Sequence, residues 1–490
     1  MRTLTLLFLF SSQMTFASFD MNKNMQRSYL YILNLEFDKA DILLTAEELQ
    51  NPTNGFLPLL RNYIDFLTVV IDEDYNYFTS HEHFKKERLE LLDKNDRSSP
   101  YYLYSKAEIS LQWAFSRLKF EQYTTAAYEF VKAYRFLKDN ERKFPDFTLN
   151  NKGLGLIHIL LGAVPEQFHW ILDVAGLDGS VSLGFRELDT VLNDDNFAMY
   201  DVEVLFLLSF FQSNLGSNDA ISQKYLDKIG DRYKDNILLN FTAARLSHKL
   251  GNNDYCLIVL NNRPVTNSVV KFHYLDYLHG MSYLYTLDYT NAKDKFEYFI
   301  GNFRGFNYIK SAMHKLAWIA FLQNNTEKRL IYFDQVISTG RALIDEDKVA
   351  LKDAQRNYIS DPLLLKTRLL YDGGYYSLAL SQLNKIDDPK SLSTIANEVE
   401  YWYRLARVKS ELEDSMQEII VYYRKALDKG QYSSSYYAPM SALQIGLIYE
   451  EKKDLYQADL YFKRCLEMSG FDYERGIHQK AKSALQRLLD

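Results

Sequence analysis

The chain has 490 residues, 47% of them hydrophobic and 25% charged, a balance that excludes wholesale disorder. Its length exceeds what one compact core holds, so several domains or an extended array are expected. The formal net charge of −7 comes without any basic block, which excludes a nucleic-acid surface, since phosphate contacts need clustered Lys and Arg.

Against 20 Gly and 9 Pro stand 38 Tyr and 31 Phe, a composition for long helices with interlocking rings and short loops. The first 17 residues read as an export signal: Arg2, the apolar run Leu4 to Phe10, and Thr15-Phe16-Ala17 as a cleavage site, with Ser18 the expected mature start. The other reading of this stretch is an ordinary first helix. No Cys follows the run, which disfavours a lipid anchor, and no later run reaches the roughly 18 apolar residues that span a bilayer; Val202 to Phe211 fits a buried helix.

From residue 18 to 145 the chain repeats one spacing of small and large residues. Ser28, Tyr31, Phe37, Ala40 and Leu44 form the first unit, ended at Pro52. Helical periodicity continues over Gly55 to Ile71 and His83 to Leu92, with Pro100 expected to close that pair. Trp113, Ala114, Tyr123, Ala126, Phe130 and Ala133 make the next unit, ended at Pro145. Residues 146–196 break the pattern: NKGLGLIHILLGAVPEQFHWILDVAGLDGSVSLGFREL, from Asn151, holds six glycines, Gly153, Gly155, Gly162, Gly176, Gly179 and Gly184, and Pro165. Glycines in apolar helices permit close backbone approach and sharp reversals, so a tightly folded helical insert is expected. Gly153-x-Gly155 has no preceding strand and no Gly-Lys-Ser/Thr, so it is not a phosphate loop.

Residues 197–490 return to the array. Ala198 to Leu215 and Asp219 to Ile229 form an apolar pair; Ala244, Gly251, Cys256 and Leu260 follow, ended at Pro264. Gly280, Tyr283, Tyr289, Ala292 and Phe296 fall in register, then a degenerate pair at Leu316, Ala317 and Phe333. A polar linking helix is expected over Ala342 to Tyr358. Pro362 opens a unit with Leu370, Gly374, Tyr376, Ala379 and Leu383, ended at Pro389, and Trp402, Leu405, Ala406, Tyr422 and Ala426 make another. Last come Gly446, Tyr449, Leu455, Ala458, Phe462 and Cys465, before a capping helix over Tyr473 to Leu489. Gly446 and Ala458 let two helices approach while Tyr449 and Phe462 fill the gaps, and because one pair cannot bury this face alone, neighbours of the same kind are required. Cys256 and Cys465 sit at small buried positions and read as core packing rather than a disulfide.

On this spacing the chain resembles the tetratricopeptide-repeat (TPR) superfamily, and Tyr101 to Leu188 resembles the eukaryotic tetratricopeptide-repeat-thirty-nine family. The resemblance implies an all-α, TPR-like helix-pair solenoid, a right-handed superhelix with the glycine-rich segment inserted. It also implies an interaction protein without catalytic residues; the export signal departs from that second family's intracellular setting.

In such a solenoid the first helix of each pair lines the concave face. Counting from the buried small positions points Phe241, Arg245, Tyr274, Tyr277, His314, Trp318, Arg368, Tyr371, Tyr403 and Arg407 toward it. Aromatics with interspersed Arg stack on an extended peptide or bond its terminal carboxylate; the alternative is that these rings pack against the next helix. Arg368 and Arg407 occupy equivalent places on neighbouring units, where they would hold a carboxylate between Tyr371 and Tyr403, unless they pair with acids such as Glu400 or Asp361.

Other chemistry reads less well. His81 and His83 are two apart, so a helix turns them to opposite sides and no third metal ligand is spaced to help. His158 and His169 beside Trp170 read as hydrogen-bonded core residues or as a polar site in an apolar pocket. Glu398 and Glu400, like Asp194 and Asp195, read as solvated faces. The expected function is an exported scaffold or assembly factor, periplasmic or secreted if bacterial, that binds a protein or peptide, with no catalytic residue, metal or cofactor. The alternatives are an exported glycan-binding helical protein and a helical-toroid glycosidase or lyase, which needs two carboxylates across a cleft.

Overall fold

The computed structural model describes residues 19–163, 179–216, 218–265 and 269–488. The expected export signal, and Pro165, His169, Trp170 and Gly176 of the insert, lie outside them. The described residues carry 25 α-helices and no strand. They fall into two compact units: one runs to Leu246 and takes in Val259–His273 and Phe303–Gly305, and the other comprises Ser247–Ile258, Tyr274–Asn302 and the residues from Phe306 on.

The first unit contains α1 (Lys23–Leu33), α2 (Phe37–Gln50), α3 (Phe56–Asp72), α4 (Tyr75–His81), α5 (Phe84–Leu92), α6 (Pro100–Lys119), α7 (Tyr123–Lys143), α8 (Asn150–Ala163), α9 (Val181–Leu192), α10 (Asp201–Leu215) and α11 (Asp219–Ile229). The unit boundary runs through α12 (Ile237–Lys249) and α13 (Asn253–Asn261). The second unit continues with α14 (Tyr274–Tyr285), α15 (Tyr289–Asn302), α16 (Ile309–Leu322), α17 (Thr326–Ser338), α18 (Asp345–Gln355), α19 (Pro362–Asp372), α20 (Tyr376–Leu383), α21 (Ile395–Glu411), α22 (Met416–Gly430), α23 (Tyr437–Glu451), α24 (Leu455–Glu467) and α25 (Glu474–Arg487). Within each unit the helices pack as successive pairs, a TPR-like helix-pair solenoid.

The repeat is written most plainly in its turns. Leu35, Glu121, Gly251, Leu287, Asn324, Gly374, Glu413 and Lys453 each take a left-handed φ between the two helices of a pair. In every one of these turns the next backbone N–H reaches back five residues, as from Glu36 to Tyr31 (2.8 Å), Asp288 to Tyr283 (3.0 Å) and Asp454 to Tyr449 (2.9 Å). This closure satisfies a carbonyl at the helix end and reverses the chain. Only two of the eight are glycines. At Gly374 the need is absolute: φ is +82° and an added Cβ would lie 1.7 Å from the carbonyl oxygen of Gly251.

The small positions are where the spacing put them. Ala40, Ala126, Ala292, Ala379, Ala426 and Ala458 are fully buried, and a Cβ on Gly446 would meet the Phe462 ring at 2.5 Å, as one on Gly280 would meet Phe296 at 2.8 Å. Cys256 and Cys465 are buried thiols, and burial pushes both up to about 12. Two positions differ from the spacing. Leu455, expected as a large buried residue, opens α24 and is half exposed, and Tyr123, which opens α7, is likewise exposed. Pro100, expected to close a pair, instead starts α6 at its first turn behind the Ser99 cap, where a missing N–H costs nothing. Overpacking at the close contact makes Ala458→Leu cost about 1 to 3 kcal/mol. Because each repeat leans on its neighbour, hydrogen exchange should loosen from α24 and α25 outward; uniform loosening, or none, would contradict the array.

In the glycine-rich segment α8 and α9 touch backbone to backbone: a Cβ on Gly155 would come 2.8 Å from the Gly184 oxygen, and one on Gly184 2.4 Å from that of Gly155. His158 on α8 shares a hydrogen with Glu187 on α9 (Nδ1 to Oε2, 2.6 Å). At the centre of the first unit, Lys152 from α8 is buried with its ammonium 2.7 Å from Glu108 of α6, 2.8 Å from Glu203 of α10 and 2.9 Å from the Tyr63 hydroxyl of α3. Tyr29 of α1 donates to Glu203 as well. Four helices thus meet at one cation, and α1 joins them through Glu203.

Candidate functional site

The structure places the ten expected surface residues unevenly. In the first unit Phe241 is buried among Phe206, Phe210 and Phe272, and Arg245 donates to the Asn214 side chain at 2.9 Å. In the second, Tyr277, His314, Trp318 and Tyr403 are also buried. Tyr277 stacks on Tyr274 and shares a hydroxyl hydrogen with Ser311 (2.9 Å). Tyr274, Arg368, Tyr371 and Arg407 are half-buried.

What unites several of them is a cation stacked on the ring of the preceding first helix. Arg368 of α19 lies 5.1 Å from the Trp318 ring centre of α16, and Arg407 of α21 lies 4.0 Å from that of Tyr371 on α19 and 5.7 Å from that of Tyr403. The same contact thus recurs along α16, α19 and α21. Asp372 acts on both cations, lying 3.7 Å from Arg368 and pulling on Arg407 from further off, while the Tyr371 hydroxyl donates to Glu411 at 2.8 Å. Glu400, weighed as a partner for the two arginines, is instead bound by Arg404 at 2.5 Å inside the core, and Asp361 caps α19 through the Leu363 N–H.

Arg368 and Trp318 open onto a cleft of about 300 Å³ in the second unit, walled also by Asp353, Tyr358, Tyr436, Tyr437 and Tyr473 and floored by Ser433 to Ser435. Local capping fixes its walls. Asp347 in α18 accepts from the N–H groups of Tyr308 and Ser311 (both 2.8 Å), pinning the start of α16 to α18, while Pro362 and Asp361 start α19 so that Arg368 falls on the cleft side. Lys352 and Asp472, both at the rim, bind each other.

The electrostatics are set by burial. Trp318 donates its indole hydrogen to His314 Nε2 (3.0 Å), and burial, with Lys315 and Arg368 nearby, holds that imidazole well below its ordinary value. Lys315 sits 3.6 Å from the Trp318 ring centre, and burial with the like charge of Arg368 lowers it to about 7. Burial pushes Asp353 up to about 6, against the pull of Arg368 and Lys315. The cleft therefore offers Arg368 and Arg356 to an anion, hydroxyls to polar groups and five ring-bearing walls to apolar ones.

Helix register pointed Trp318 and Arg368 to one face, and both line the cleft. It did not reach Asp353, Arg356 and Ser433 to Ser435, which also line the cleft, because the cleft is completed by a linking helix and by loops whose direction no helical period carries. Elsewhere, His81 stacks on Tyr77 (3.8 Å between ring centres) while His83 faces Glu87.

No curated protein matches the chain. Among solved structures, the crystal structure of yeast Tom70 is similar at 12% identity, covering 95% of this chain and 88% of that one with a TM-score of 0.24. Residues 148–303 match the model of the family described as Iml2/Tetratricopeptide repeat protein 39. The match begins inside the Tyr101 to Leu188 stretch and runs beyond it, so from α8 through α15 the chain is similar to that family, and paired helices continue on either side.

Proposed function

We propose that the protein is an exported interaction scaffold that holds a peptide segment of a protein partner on the first-helix surface of its second unit, at Arg368, Tyr371 and Arg407 and in the cleft beside Trp318, with buried Tyr403 packed behind Arg407. The observation that carries this reading is the cation-on-ring contact repeated from α16 to α19 to α21. An extended peptide meets successive first helices in turn, and arginines held flat on rings present their outer N–H groups to its carboxylates at little entropic cost. At about 300 Å³ the cleft suits one or two residues rather than a long segment, so a chain end bearing a carboxylate is the best fit.

The test is a pool of labelled octapeptides made without Asp, Glu, His or Cys, as free acids and as C-terminal amides. Selective retention of the free acids is expected; equal retention of both, or of neither, would refute the reading. A second reading, a glycan site, is favoured by the clustering of Trp318, Tyr358, Tyr436, Tyr437 and Tyr473 in one patch, and binding of neutral oligosaccharides with no peptide retention would select it. A glycosidase needs two free carboxylates in the cleft, whereas Asp472 is engaged by Lys352.

Export rests on the apolar run Leu4 to Phe10 and the small residue at Ala17. N-terminal sequencing of the protein recovered outside the cytoplasm is expected to begin near Ser18, and an intact Met1 in the soluble cytoplasmic fraction would refute export.

A further inference from the structure

We propose that the cleft binds anions in a proton-linked manner, gripping a peptide carboxylate more tightly as the pH falls from mildly alkaline to mildly acidic, through Asp353 in its wall and Lys315 against its Trp318 ring. The proposal rests on the cleft being the binding site. It adds a control that the binding reading does not require.

The geometry begins with Asp353 on α18, whose side chain is 23% exposed to the cleft. His314 Nε2 lies 3.6 Å from its carboxylate. That nitrogen already accepts the Trp318 indole hydrogen, so it carries no proton to offer and His314 is not a counter-cation. Among the described residues no Lys or Arg nitrogen comes within 4.0 Å of the Asp353 carboxylate. The groups facing it are known from every side. α16 brings His314 and Lys315; α17 brings the Phe333 ring against His314; α19 brings Arg368; the segment before α25 brings Asp472, tied to Lys352; and Arg356 and Tyr358 follow α18 itself. Glu346 and Asp372 act on Lys315 from further off.

Two of these groups titrate in the physiological range, and both change the cleft in one direction. Burial places Asp353 at about 6 and Lys315 at about 7. As pH falls, Lys315 passes from neutral to positive and Asp353 from negative to neutral, while Arg368 stays charged. A carboxylate bound beside Arg368 favours both protonated forms. By linkage, each proton then strengthens binding of the anion by the factor through which the anion strengthens binding of the proton. The Trp318 ring centre lies 3.6 Å from the Lys315 ammonium and 5.1 Å from the Arg368 guanidinium, so the Lys315 charge acts on the cleft from close behind a residue that lines it.

The experiment uses the same free-acid and amide octapeptide pools on the full chain, at about pH 5.5 and about pH 8, where only the peptide terminus and the protein titrate. The free acids should bind about five-fold or more tightly at the lower pH, and the amides should show no such change. Asp353→Asn should flatten the profile near pH 6 and Lys315→Met the part near pH 7, each variant being checked for native helical content by circular dichroism. Carbon-13 titration of the Asp353 carboxyl in the unmodified protein supplies a readout that needs no variant: a midpoint near pH 6 is expected, and an ordinary value of about 3.9 would overturn the proposal. Free acids bound equally at both pH values would overturn the linkage and leave the binding reading intact. An equal pH effect on acids and amides would overturn the linkage too, and no retention of either pool at any pH would overturn both.

Discussion

Lys152→Met is expected to destabilise the first unit by about 3 to 5 kcal/mol, a loss set by what the substitution leaves behind rather than by what it removes. The native ammonium is shared between Glu108 and Glu203 and bonded to the Tyr63 hydroxyl, with the lysine only 2% exposed. Burial opposes its charge, yet the two carboxylates outweigh that and hold it above its ordinary value. A cation raised in this way stabilises the fold below its unfolded value of about 10.4 and loses that contribution as pH climbs past its folded one. Methionine fills similar volume but strands Glu108, which burial already raises despite the pull of Lys152 and which the like charge of Glu203 raises further. An acid whose folded value lies above its unfolded one binds more protons folded than unfolded. Stability of the variant should therefore fall as pH rises above about 4.3, so urea unfolding should show a larger loss at pH 8 than at pH 5. Replacing Glu108 and Glu203 with Gln in the same chain should recover much of the loss, because the neutral amides no longer demand a counter-charge. A loss under about 1 kcal/mol, or one independent of pH, would mean that water or rearrangement has satisfied the acids.

Why the helix pairs could be read from the sequence, and the lysine cluster could not, follows from the range of each interaction. Gly446 beside Phe462 and Gly280 beside Phe296 are contacts within one pair, each fixed by the same spacing along the chain, and small-large alternation encodes them directly. Gly155 against Gly184 was legible for a related reason: only glycine tolerates that approach, so the residue type announces the contact although its partner is unnamed. The turns were half legible. Gly251 and Gly374 mark the left-handed position, whereas Leu35, Leu287 and Lys453 adopt it because helices on both sides hold it, and nothing in those residue types signals it. Lys152, Glu108 and Glu203 come from α8, α6 and α10 and each taken alone reads as a surface charge on a helix; only the packing of three elements makes them one group. The cleft is intermediate: Arg368 and Trp318 follow from helix register, while Asp353 lies on the helix expected merely to link repeats.

Replacing Arg368 and Arg407 together with Ala is expected to weaken binding of the retained free-acid peptide by about 2 kcal/mol or more while leaving helical content unchanged. The geometry accounts for both halves of that expectation. Neither guanidinium is a structural pin of the kind Lys152 is: Arg368 is 34% exposed along its side chain and has Asp372 only at 3.7 Å, and Arg407, half-buried, lies 4.0 Å from the Tyr371 ring centre. Arginine held flat on a ring keeps its in-plane N–H groups for a ligand and loses little further freedom on binding, which is why truncating two on adjacent first helices should cost more than two exposed charges would. The acids nearby set the size of the effect. Asp372 competes for Arg368, so the single Arg368→Ala change should cost less than half of the double, and Asp372→Ala alone should strengthen binding rather than weaken it. Lysine at both positions should recover only part of the affinity, since a point charge restores attraction without the bidentate fork. The buried pair Arg404 and Glu400 supplies the control, for it lies beneath the Tyr437 wall, and losing it should disturb folding rather than affinity alone. Calorimetry at low salt gives the reading: unaltered affinity in the folded double variant would remove the two arginines from the site and leave the cleft beside Trp318 to stand on Arg356 alone.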